Sequence, residues 1–144
     1  MENHATYEDV NLIIRLYELR REAELRKGRA WFAKSFRVET PEEFAKLCPP
    51  GSDEDRFARM VITYWEMVAS FVTGGVLNEQ LLFQSSLELL LVWERARELT
   101  LKLRVARKNP MLWKNLETVA NAFIAQMNKQ GPETYAAFAA RVKG

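Results

Sequence analysis

Apolar side chains recur every three or four residues along the first quarter of the chain, the spacing of an α-helix that buries one face. Leu12, Leu16 and Leu19 lie four and three residues apart, and apolar residues continue at helical spacing beyond Gly28. A glycine inside a helix costs only about 1 kcal/mol, so it does not require a break. The pattern predicts one helix over about 7–36, bent near Gly28.

Cap residues mark the starts of further helices. Thr40 precedes Pro41 and Asn109 precedes Pro110. In each pair the first side chain can cap a helix whose first position the proline occupies. The Gly74-Gly75 pair marks a helix end, since glycine readily takes the left-handed conformation that closes a helix. Together these signals predict helices over about 41–47, 53–73, 79–107, 110–128 and 132–142.

No segment alternates apolar and polar residues long enough to form a strand, and no repeat or low-complexity tract is present. A chain of 144 residues is the usual size of one domain. We therefore expect a single all-α domain over 1–144, a bundle of four to six helices with short connections. The Ser85-Ser86 pair is the expected weak point of the 79–107 helix.

The segment Met60–Leu77 is long enough to cross a membrane and carries one charge, Glu66. Its two glycines and its hydroxyl side chains favour a buried core helix instead, so no membrane association is expected. Residues 1–6 lack the basic start and apolar run of a signal peptide. Cys48 is the single cysteine, which excludes an intrachain disulfide and suits a reducing compartment. The predicted location is cytoplasmic.

Residues for catalysis or metal binding are scarce. His4 is the only histidine and Cys48 precedes two prolines, so neither has an evident catalytic partner in the sequence. Di-metal sites in helical bundles use paired Glu-x-x-His motifs, which one histidine cannot supply. We expect no catalytic residue, no metal site and no cofactor. The chain is therefore predicted to be non-enzymatic.

Two stretches rich in basic residues, 15–29 and 94–108, raise a second hypothesis. If they share a face, they form a patch that attracts phosphate groups in nucleic acid or another phosphoanion. A net charge of only +2 and the lack of any aromatic residue in the second stretch argue against nucleic acid. The candidate patch consists of Arg15, Arg26, Arg29, Lys102, Arg104, Arg107 and Lys108.

The 53–73 helix is apolar on most of its circumference, which predicts a central position. Its polar residues form one stripe at helical spacing. Either the stripe meets solvent, or it faces an internal groove or a symmetry mate, where Glu66 needs a partner such as Arg59 or a basic residue from another helix. The candidate polar stripe consists of Arg59, Thr63, Glu66 and Ser70.

In residues 59–68 and 75–79, a helix carrying Trp-Glu-Met leads through a glycine turn into the next helix. This arrangement, together with residues 17–22 and the Asn109-Pro110 pair, resembles small bacterial all-helical proteins of a domain-of-unknown-function type. The resemblance spans most of the chain. It implies an all-α fold and a bacterial origin, and it implies no activity.

Three functional hypotheses follow. The first is a non-enzymatic interaction or structural domain that forms a homo-oligomer or binds another protein. The second is the nucleic-acid or phosphoanion module that uses the candidate patch. The third is a bundle that binds a small apolar ligand between the 53–73 and 79–107 helices. Aromatic side chains favour a shared core but can also line a pocket or a contact surface. They include four tryptophans, Trp31, Trp65, Trp93 and Trp113.

Overall fold

Eight α-helices and no strand occur in residues 4–143, the part of the chain that the computed structural model describes. The all-α prediction is confirmed, whereas the predicted four to six helices were too few because two long segments are divided. In chain order the helices are α1 (Tyr7–Arg20), α2 (Ala23–Ser35), α3 (Pro41–Leu47), α4 (Asp53–Thr73), α5 (Glu79–Phe83), α6 (Leu87–Ala106), α7 (Lys114–Gln130) and α8 (Thr134–Lys143).

The predicted helix over 7–36 is divided between α1 and α2. Glu22 leaves the helical conformation, and its carboxylate accepts a hydrogen bond of 2.9 Å from the backbone N–H of Leu25, which caps α2. Gly28 lies inside α2 and produces no break. A methyl group at Gly28 would lie 3.1 Å from the Cε atom of Met60, so the glycine permits α2 and α4 to approach closely.

The predicted helix over 79–107 is divided at the expected weak point. Ser86 has a non-helical conformation, and the chain turns between α5 and α6. Pro110 initiates a turn rather than a helix, because Trp113 adopts the left-handed conformation with a φ of 52° immediately before α7. The last helix begins at Thr134 rather than at residue 132.

α4 lies at the centre of the bundle and packs against α2, α6 and α7. It buries Val61, Ile62, Trp65 and Val68, each at most 2% exposed. α6 also contacts α3, α7 and α8, while α1 packs against α2 and α5. This arrangement leaves α1 at the periphery, where much of its circumference faces solvent.

The apolar segment that forms most of α4 raised the possibility of a membrane-spanning helix. Within residues 4–143, no helix combines the length and the apolar character needed to cross a bilayer.

Candidate functional site

α1 exposes a row of large apolar side chains, here called the α1 stripe: Tyr7, Val10, Ile14 and Tyr17. Their exposed fractions range from 39% for Val10 to 79% for Tyr7. Successive members are three, four and three residues apart, so they line one side of the helix. Contiguous exposed apolar surface of this kind marks an interaction site in many proteins.

The opposite side of α1 faces the core. Leu16 is buried, and Leu12 and Ile13 pack partly against the buried cluster. The sequence pattern placed Leu19 on the buried face with Leu12 and Leu16, but Leu19 is about half exposed. The α1 stripe is a second apolar row at helical spacing in the same sequence. Which of the two rows faces the core depended on where α2 and α5 pack against α1.

Charges at the two ends of α1 have opposite signs. Glu8 and Asp9 occupy the first turn and Arg20 the last, which suits the helix dipole. Asp9 is buried and bonded within the fold. Glu8 and Arg15 are exposed and form no ion pair with any described residue, so both remain accessible to a partner.

An apolar cavity of about 230 Å³ lies beside the α1 stripe, between α1, α4 and α5. Here it is called the α1 cavity. Ile14 and Tyr17 belong to both the stripe and the cavity wall. The remaining lining residues are mainly apolar and include a few polar groups: Ile13, Leu16, Arg20, Tyr64, Trp65, Val68, Leu82, Ser85 and Ser86.

The Arg20 guanidinium lies over two aromatic rings of this cavity. Its central carbon is 5.1 Å from the ring centre of Tyr17 and 5.3 Å from that of Trp65. Both distances are in the range of a cation–π interaction. Within residues 4–143 the Arg20 side chain has neither a hydrogen bond nor an ion pair.

A half-buried ion pair between α2 and α6 contacts Trp65 of the cavity wall. Arg29 of α2 donates to both carboxylate oxygens of Glu88, with a shortest distance of 2.7 Å, and Trp65 Nε1 donates to Glu88 at 3.2 Å. The Tyr64 hydroxyl donates to the Leu16 carbonyl at 2.5 Å. Burial raises the pKa of Tyr64 to about 12, so this hydroxyl remains a neutral donor.

The candidate polar stripe of α4 is engaged in local bonds. Arg59 and Thr63 are exposed, and Arg59 pairs with Asp55 at 3.2 Å. The Thr63 and Ser70 hydroxyls donate to backbone carbonyls of α4 itself. Glu66 is half-buried and its partner lies in α7 rather than in a basic side chain. It accepts hydrogen bonds of 2.8 Å from the Asn115 amide and from the Leu116 N–H.

The candidate basic patch is not brought together. Arg29 pairs with Glu88 in the first turn of α6, whereas Arg104 near its last turn pairs with Glu117 at 3.1 Å. Sixteen residues of helix separate the two contact points, which corresponds to about 24 Å. Arg26 donates to the Arg21 carbonyl. The other members are exposed: Arg15, Lys102, Arg107 and Lys108.

Residues with catalytic or ligating chemistry are not grouped. Cys48 is buried, and burial raises the pKa of its thiol to about 11, which makes it a poor nucleophile. His4 is exposed at the start of the described chain. Among residues 4–143, no group of three or more His, Cys, Asp or Glu side chains is placed to hold a metal ion.

The comparisons with known proteins give one family and no individual relative. A family model described as a domain of unknown function, DUF4760, matches residues 5–140. The match covers nearly the whole chain and all the residues of the α1 stripe and the α1 cavity. No curated protein and no solved structure matches the chain.

Proposed function

We propose that this chain, which belongs to the DUF4760 family of domains of unknown function, is a non-enzymatic interaction domain that forms a homodimer through the α1 stripe. The proposal concerns one surface and one partner, a second copy of the same chain. It develops the first of the three hypotheses drawn from the sequence.

The observation that carries the proposal is the order of residues in the α1 stripe. Read from either end, the stripe is aromatic, aliphatic, aliphatic, aromatic: Tyr7, Val10, Ile14 and Tyr17. An antiparallel copy of α1, paired about residue 12, sets Tyr7 against Tyr17 of the other copy and Val10 against Ile14. A surface that is complementary to itself in this way is what a two-fold symmetric interface requires.

Charge supports the same antiparallel arrangement. The first turn of α1 carries the exposed Glu8, and the exposed Arg21 follows the other end. In an antiparallel pair, the acidic end of each helix lies beside the basic end of its partner. The helix dipoles also oppose each other, so both electrostatic contributions favour association.

The nucleic-acid alternative has less support. Arg29 and Arg104 each form an ion pair with a carboxylate within the domain, and these two ion pairs lie at opposite ends of α6. A phosphate-binding surface needs several free cations on one face. The proposal therefore keeps a protein partner in first place.

The experiment that tests dimerisation is light scattering of the purified chain over a range of concentrations. Val10→Glu places a charge at the centre of the α1 stripe without altering the wall of the α1 cavity. Val105→Glu is the matched control, because Val105 is 80% exposed on α6, outside the stripe. Wild type and Val105→Glu should dimerise as concentration rises, whereas Val10→Glu should stay monomeric.

Circular dichroism of the Val10→Glu variant should match wild type, which separates a lost contact from a lost fold. The proposal is wrong if the wild-type chain stays monomeric at the highest concentration, or if both charge variants weaken the dimer equally.

A further inference from the structure

The α1 cavity is the right size for a small organic molecule. An apolar cavity of about 150 Å³ holds benzene, which has six non-hydrogen atoms. In proportion, the 230 Å³ of the α1 cavity accommodates a ligand of about nine non-hydrogen atoms. Its walls are Leu16, Val68 and Leu82 together with the rings of Tyr64 and Trp65. Such walls favour an apolar, planar body.

Arg20 gives the cavity a positive charge that no residue of the described chain neutralises. Arg29, which donates to the Arg20 backbone carbonyl at 3.1 Å, is itself paired with Glu88. Two guanidinium groups and one carboxylate leave one positive charge. Because the Tyr17 and Trp65 rings contact the guanidinium, its N–H groups are held in place for an incoming acceptor.

Two hydroxyl groups on the cavity wall add polar contacts. Ser86 is only 5% exposed, and neither its hydroxyl nor that of Ser85 makes a hydrogen bond to a residue of the described chain. Both hydroxyls are therefore free to donate a hydrogen bond to an acceptor on a ligand. These hydroxyls and Arg20 all line the same cavity.

We infer that the α1 cavity binds a small aromatic carboxylic acid, with its carboxylate at Arg20 and its ring between Tyr64, Trp65 and Val68. An apolar body alone would leave the guanidinium without an acceptor, and an anion alone would leave the apolar walls unfilled. An aromatic acid satisfies both. This site adjoins the dimer contact, because Ile14 and Tyr17 belong to both surfaces.

The test uses isothermal titration calorimetry on the full chain with three probes. Phenylacetate carries both the ring and the charge, phenylacetamide replaces the carboxylate by a neutral amide, and acetate lacks the ring. Phenylacetate should bind about tenfold more tightly than phenylacetamide, the usual difference made by one charge-assisted hydrogen bond. Acetate should not bind measurably.

Two arginine variants on the same helix then locate the charge. Arg20→Gln should weaken phenylacetate binding by about tenfold and leave phenylacetamide within about twofold. Arg15→Gln is the control, because Arg15 is equally without an ion pair but lies outside the cavity. It should leave the affinity for both probes unchanged.

The inference fails if wild type does not bind phenylacetate at millimolar concentration, if the acid and the amide bind equally, or if the two arginine variants behave alike. Val10→Glu distinguishes it from the dimer proposal, because Val10 does not line the cavity. That variant should bind phenylacetate like wild type. Loss of binding there would show that the acid site forms only in the dimer, and it would overturn the inference that the cavity of a single chain binds the acid.

Discussion

The Glu66 carboxylate of α4 accepts a hydrogen bond of 2.8 Å from the backbone N–H of Leu116 at the start of α7. Trp113, the residue at the cap position of α7, makes no side-chain hydrogen bond to the helix. A carboxylate fifty residues earlier in the chain therefore does what a local serine or aspartate does elsewhere. Its negative charge also suits the positive end of the α7 dipole.

Removing this cap should destabilise the domain moderately. We expect Glu66→Ala to lower the free energy of unfolding by about 1 kcal/mol, the usual cost of losing a helix N-cap. Thr63→Ala is the control on the same stripe, because Thr63 is exposed and bonds only within α4. It should change stability by less than about 0.5 kcal/mol. Urea unfolding measures both, and equal midpoints for the two variants would contradict the capping role.

A buried arginine joins α6 to two other helices. One terminal nitrogen of Arg95 donates to the carbonyls of Phe32, Ala33 and Phe36 at 3.0 to 3.2 Å, and Nε donates to the Val142 carbonyl. Burial lowers the pKa of its guanidinium. The carbonyls belong to the last turns of α2 and α8, where a positive charge is favourable.

Replacing Arg95 should therefore cost more than replacing an exposed arginine. We expect Arg95→Met to lower the free energy of unfolding by about 3 kcal/mol, because buried carbonyls lose their donors. Arg107→Met should cost less than about 0.5 kcal/mol, since Arg107 is exposed. Hydrogen exchange should also accelerate in α8 of the Arg95 variant alone. Unchanged protection of α8 would show that the arginine does not hold this helix.

The stability of the domain should fall in acid, in part through Asp9. Hydrogen bonds from the backbone N–H of Thr6 at 2.7 Å and from that of Asn78 at 2.8 Å lower the pKa of this carboxyl from its ordinary value of 3.8. The charged form is thus favoured in the folded state. Its stabilisation is complete above the ordinary pKa and is lost as the pH falls through the lower, folded-state pKa.

Asp9→Asn should flatten this part of the acid dependence and should lower stability near neutral pH. Glu8→Gln is the control in the same turn, because Glu8 is exposed and makes no hydrogen bond within the described chain. It should leave the dependence close to that of wild type. Thermal unfolding between neutral pH and about pH 2 measures the slopes. If stability depends on pH with the same slope in wild type and in Asp9→Asn, Asp9 does not contribute to the loss of stability in acid.

The start of a helix was predictable from the sequence wherever its cap is local. The Thr40 side chain accepts from the Glu43 N–H at 3.1 Å, and the Glu43 carboxylate accepts from the Thr40 N–H at 3.1 Å, so four consecutive residues determine the start of α3. Gly75, with a φ of 78°, follows the end of α4 as the glycine pair indicated. These capping hydrogen bonds join residues that are close in the sequence, so the sequence alone is enough to predict them.

Tertiary structure decided three other features: the start of α7, the packing at Gly28 and the orientation of α1. Each of them depends on a residue far along the chain. The start of α7 depends on Glu66 of α4, and the close packing at Gly28 of α2 depends on Met60 of α4. α1 has apolar residues on two sides, so its own periodicity could not indicate which side meets the core. The packing of α2 and α5 against it buried Leu16, exposed the α1 stripe and left the α1 cavity beneath Arg20. The sequence by itself determined the helical class and the locally capped ends, since those follow from contacts three or four residues apart. The exposed surface and the cavity required the arrangement of helices, since burial is a property of neighbours in space.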